Sequence, residues 1–61
     1  MIGTVKAKET VNIRDKDSTD GRQLGVAYVG DTFPLIEKQS NGWSKIIYND
    51  MDAYIKTEYL E

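Results

Sequence analysis

Val11-Asn12-Ile13-Arg14, running directly into Asp15-Lys16-Asp17-Ser18-Thr19-Asp20-Gly21, is the stretch that decides how this chain folds. Its first four residues alternate apolar and polar side chains. Val11 and Ile13 therefore share one face of an extended strand, and Asn12 and Arg14 share the other. The following run is polar throughout and ends on Asp-Gly, a turn pair. This is a long loop for so small a domain, and long loops on small scaffolds are where function tends to sit.

The same two-residue period continues on both sides. Upstream, Thr4-Val5-Lys6-Ala7-Lys8 places Val5 and Ala7 together. Downstream, Leu24 to Val29 reads as a short strand entering a turn at Gly30-Asp31. Thr32 to Lys38 follows, with Phe33 and Leu35 on one face. Pro34 cannot donate to a ladder, so an edge or a non-bonded position is expected there. Ser40-Asn41-Gly42 reads as a tight turn, because Asn-Gly accepts the positive φ that hairpin turns need. Trp43 to Tyr48 is its partner strand, and Asn49-Asp50-Met51-Asp52 turns the chain into Ala53-Tyr54-Ile55-Lys56. Thr57 to Leu60 reads as a single 3₁₀ turn and a closing residue, with Thr57 as a weak cap. Short strands at this regular spacing predict an all-β domain. There is too little chain for two full sheets. A five-stranded, nearly closed barrel with one C-terminal 3₁₀ turn is expected, since closure removes exposed edges.

Size and charge narrow the function. The 61 residues form one domain, expected here to be excised from a larger protein. A chain this short buries only about 60% of its unfolded surface, and its stability is of the order of a few kcal/mol. It has no cysteine and no histidine, so it has neither a thiol nor the usual neutral-pH base. The eight Lys and Arg are scattered among ten Asp and Glu, for a net charge of −2, whereas nucleic-acid binding calls for a clustered basic stripe. No apolar run is long enough to span a bilayer, so membrane insertion is not expected. Met1-Ile2-Gly3 lacks the charged start and apolar stretch of a signal peptide. A monomer without a cofactor is expected.

The carboxylates offer no catalytic pair. Asp15, Asp17 and Asp20 lie in one polar run, and Asp50 and Asp52 in another, where solvated turns are expected rather than the buried acid that acid–base chemistry requires. Asp15-x-Asp17-x-x-Asp20-Gly21 superficially resembles a calcium loop. Counted from Asp15, however, the EF-hand pattern meets Thr19 where its third aspartate belongs, and Val26 where its closing Glu belongs. No metal site is expected.

Several segments, taken together, resemble a known family. Val11-Asn12-Ile13-Arg14 is similar to the "LNVR" opening of bacterial SH3 domains, with the polar loop after it. Leu24-Gly25-Val26, the Gly30-Asp31 turn, Asn41-Gly42-Trp43, Tyr54-Ile55 and Tyr59-Leu60 then resemble the family's later segments, in order and at the expected distances. The likeness covers about Thr4 to Leu60. It departs at Ala53, where the family usually has glycine, so a negative φ or a looser backbone approach is expected there. The resemblance implies a five-stranded SH3-like barrel. It also implies an accessory module of bacterial cell-wall hydrolases or envelope proteins, some of which are thought to bind peptidoglycan or its peptide stems.

Within that frame the aromatics are the leading site candidates. Phe33 reads as core. Trp43 opens its strand after a turn, so it can line a groove or fill the barrel, and Tyr54 is open in the same way. Tyr48 is a third candidate ring, whereas Tyr59, beside Leu60 at chain closure, reads more as packing. Asn12 suits a structural role at the strand-to-loop transition. Arg14 can stack on a ring, pair with Asp15 or Asp17, or meet a ligand. The loop Asp15–Arg22, with Asp17 and Asp20, is expected to frame a cleft with Trp43 and Tyr54. Two functions follow. One is a non-catalytic module that targets a hydrolase or envelope protein to peptidoglycan, in an extracellular or cell-envelope setting. The other is a protein–protein adaptor that contacts a neighbouring domain or an extended peptide in an envelope or phage-related assembly.

Overall fold

The computed structural model describes residues 3–61. They form one antiparallel sheet of six strands in the order β1-β4-β5-β6-β2-β3. The strands are β1 (Gly3–Lys6), β2 (Val11–Arg14), β3 (Gln23–Ala27), β4 (Thr32–Lys38), β5 (Trp43–Tyr48) and β6 (Met51–Lys56), followed by a 3₁₀ turn, Thr57–Tyr59. This is one strand more than expected. The chain bends at Lys8 and Glu9, which sends β1 to pair with β4 and β2 to pair with β3 and β6. The sheet curls until its ends nearly meet. Ala7 bridges Leu60, Gly30 N–H donates to the Ala7 carbonyl, and Ala7 N–H donates to that of Asp31, both at 2.8 Å.

The core lies inside this curl. Val5, Ala7, Ile13, Ala27, Ile46, Ala53, Ile55 and Leu60 are buried together, and they fall on the alternating positions that the period of two selects. Phe33, Leu35 and Tyr48 pack against them. Ala53 lies opposite Ile46 and is fully buried. Its φ is not positive, so the negative φ expected there holds and its methyl group is core volume.

Two register shifts correct the simple alternation. Leu35 pairs with Ile46 but Glu37 pairs with Lys45, so Ile36 is the extra residue of a bulge. Unbroken alternation would aim Glu37 at the core beside Leu35, and the bulge turns it to the outer face. A second shift, after Ile13, carries the pairing from Gly25 to Gln23. Pro34 does not sit on an edge strand, because β4 lies between β1 and β5. It is opposite Thr4, and the ladder to β5 begins only at Leu35, so no β5 pairing is lost through its missing N–H.

The turns are tighter than the sequence suggests. Asn49 and Asp50 have φ of 51° and 63° and alone connect Tyr48 to Met51, as a two-residue hairpin turn with both residues left-handed requires. Met51 and Asp52, expected in that turn, belong to β6. β3 stops at Ala27 rather than Val29, because the Asp31 carboxylate accepts the Tyr28 N–H at 2.9 Å and folds the chain over. Thr57 caps nothing. Its hydroxyl is bonded to Ser44 Oγ at 2.8 Å, which satisfies a serine buried in the barrel.

Candidate functional site

A groove of about 380 Å³ runs along the outer side of β2. Strand parity builds it. Arg14 pairs with Tyr54, and Trp43 with Lys56, so these side chains leave the sheet on the side opposite Ile13, Ala53 and Ile55. Asn12 and Arg14 form one wall, and Glu9 and Thr10 extend it past the start of β2. Lys56 and Tyr59, from β6 and the 3₁₀ turn, and Thr19 from the polar loop complete the lining with Trp43.

Trp43 lines the groove but is only 8% exposed, so most of its indole is covered. It stands outside the apolar core cluster. Asn41 fixes the turn in front of it: its Oδ1 accepts the Trp43 N–H at 3.2 Å, and its Nδ2 donates to Asp17 Oδ2 at 2.9 Å. One amide thus ties the β4–β5 turn, with Gly42 at φ 89°, to the polar loop across the groove's end.

The polar loop is closed on itself. Asp15 N–H donates to the Arg22 carbonyl at 3.0 Å, and Arg22 N–H donates to Asp15 Oδ1 at 2.7 Å. Arg14 Nη1 donates to the carbonyl of Gly21, a buried residue, at 2.9 Å. These bonds hold an exposed loop in one shape with little apolar contact.

A family model described as bacterial SH3 domain matches residues 2–61. The chain belongs to that family. No match is found among curated proteins. Bacterial SH3 domains are in general binding modules and non-catalytic, and a groove with an aromatic floor and polar walls is what such a module needs.

In this SH3 domain the structure brings two of the expected site residues, Arg14 and Trp43, into one groove. Tyr54 shares their side of the sheet, half-buried between Arg14 and Lys45, but it lies outside the groove lining. Asp17 is engaged by Asn41, while Asp20 is exposed on the loop away from the groove. Tyr48 belongs to the opposite, core side. Its ring stands edge-on to Phe33 at 6.2 Å between centroids and lies over Gly25, where any Cβ would collide with it. The expected pairing of Arg14 with Asp15 or Asp17 does not form, because both carboxylates are held by amide N–H groups.

Glu9, Thr10 and Lys56 line the groove without having been site candidates, and Tyr59, read as packing, lines it too. Lys56 carried a usable signal, since it shares Tyr54's parity on β6. Glu9 carried none, because a bend has no period to read.

Proposed function

We propose that this domain is a non-catalytic targeting module whose groove holds peptidoglycan or its peptide stems, so that a tethered hydrolase or envelope protein stays near the bacterial cell wall. Tethering raises effective concentration without adding chemistry. What supports the reading is the groove itself, which brings the largely buried Trp43 indole together with Asn12, Arg14, Lys56 and Tyr59. Polar walls over an aromatic base suit an extended, amide-rich chain, which presents hydrogen-bonding groups along its edges and apolar surface on its faces. A groove this small buries little area, so affinity of order 10 µM to 1 mM is expected. The extracellular or cell-envelope setting is part of the same proposal.

The test is co-sedimentation of the domain with insoluble bacterial cell wall, beside Tyr59→Ala and Asn12→Ala. Trp43→Ala is the wrong probe, because so buried an indole also holds the fold together. Wild type should pellet, and each wall variant should pellet at least threefold less at equal concentration while keeping its circular dichroism. Wild type remaining in solution with several wall chemistries would overturn the proposal in favour of an adaptor that contacts another protein.

A further inference from the structure

We infer that the groove recognises a carboxylate on its peptide ligand and that Arg14 is the group that reads it; this rests on the groove being the binding site. Arg14 ends β2, is half-buried, and lines the groove. One nitrogen is held by the Gly21 carbonyl at 2.9 Å. A guanidinium has five N–H donors in a rigid fork, so the remaining donors are oriented by that bond rather than consumed by it. Among the described residues the ion pairs are Lys45 with Asp52 at 3.4 Å and Lys56 with Glu58 at 3.3 Å, and neither involves Arg14. The nearest acids in sequence, Asp15 and Asp17, are engaged by Arg22 N–H and Asn41. A half-buried, pre-oriented guanidinium with no anion of its own matches the two oxygens of a carboxylate.

The rest of the groove gives the ligand a direction. Lys56, the other cation on its wall, is already paired with Glu58 and adds little net charge. Glu9 lines the far end, before β2 begins. Extended β2, from Val11 to Arg14, covers roughly 10 Å, the length of about three ligand residues, and the groove continues past it to Glu9. An extended peptide thus meets an acid at one end and an unpaired guanidinium at the other, which places its carboxylate at Arg14. The chain as a whole carries −2, so the preference arises from this local arrangement and not from a general attraction for anions.

The test uses three N-acetylated alanine peptides: a tetrapeptide with a free C-terminal carboxylate, its C-terminal amide, and an Ala-Glu-Ala-Ala amide with only a side-chain carboxylate. The chain has one tryptophan, and it lines the groove, so its fluorescence reports occupancy. At least one carboxylate peptide should bind tenfold or more tightly than the amide, and which one does so identifies the source of the carboxylate. Arg14→Gln should bring the acids down to the amide's affinity, whereas a merely structural arginine would weaken all three alike. If Arg14→Gln fails to fold, Arg14→Lys, which keeps charge but not the fork, should retain only part of the selectivity. Equal binding of acid and amide, selectivity that survives both substitutions, or no response to any peptide at millimolar concentration would each overturn the inference. Equal binding that moves the fluorescence would leave the groove reading standing, whereas loss of wall pelleting would remove that reading by itself.

Discussion

The two ends of β5 carry large aromatic residues with different roles. Trp43 begins the strand and Tyr48 ends it. An odd number of steps separates them, so a pleated strand must send them to opposite faces. Tyr48 turns inward, over Gly25 and against Phe33. Trp43 turns outward, yet it is the more completely buried of the two. Exposure alone therefore misassigns both rings, and what surrounds each one identifies it. Tyr48 packs against the apolar core, while Trp43 shares the groove lining with Asn12, Arg14, Lys56 and Tyr59.

The sharpest way to break this contrast is Trp43→Ala. Removing a buried indole costs about 3–5 kcal/mol, comparable to the whole stability of a domain this small, roughly 3–9 kcal/mol. The variant should melt far below wild type by circular dichroism. A near-native melting temperature would mean that the groove face contributes nothing to stability and that the two ends of β5 differ more than their burial suggests.

Gly25→Ala probes the other end. The new methyl collides with the Tyr48 ring, and an overpacked contact of this kind costs about 1–3 kcal/mol. Urea titration should show that loss, while the folded fraction keeps its wall pelleting. If pelleting falls without a loss of stability, Tyr48 communicates with the groove and the separation of the two faces fails.

The smallest effect is expected at Asn41→Ala, which removes the acceptor for the Trp43 N–H and the link to Asp17. A loss of about 0.5–1.5 kcal/mol is expected, with amide exchange quickening in the loop Asp15–Arg22. Unchanged exchange there would show that the loop's own bonds, through Asp15, Arg14 and Gly21, are enough to hold it.

Much of this was legible in the sequence. The alternation placed Val5 with Ala7 and Val11 with Ile13, and set Arg14 on the other face from Ile13. Trp43 was open between groove and barrel until the pairing of Arg14 with Tyr54 and of Trp43 with Lys56 fixed its side. The bulge at Ile36 was not legible. Phe33, Leu35 and Glu37 follow one period in the sequence, and only the pairing of Glu37 with Lys45 shows that the register slips. The fate of the loop acids was hidden for a similar reason. Asp15 and Asp17 were natural partners for Arg14 by proximity along the chain, but hydrogen bonding to Arg22 N–H and to Asn41, 24 residues from Asp17, depends on how the loop folds back.

The sequence by itself determined that this is an all-β domain, which apolar residues share a strand face near its start, where most turns fall, and that it has no histidine and no cysteine. Those properties are local, set by the period of the side chains, the φ preferences of turn residues, and composition. The tertiary structure decided the sixth strand, the two register shifts, and the assembly of Glu9, Lys56 and Tyr59 with Arg14 over the Trp43 ring. These depend on contacts between segments far apart in the chain, where closing the sheet, and not any local preference, selects the neighbours.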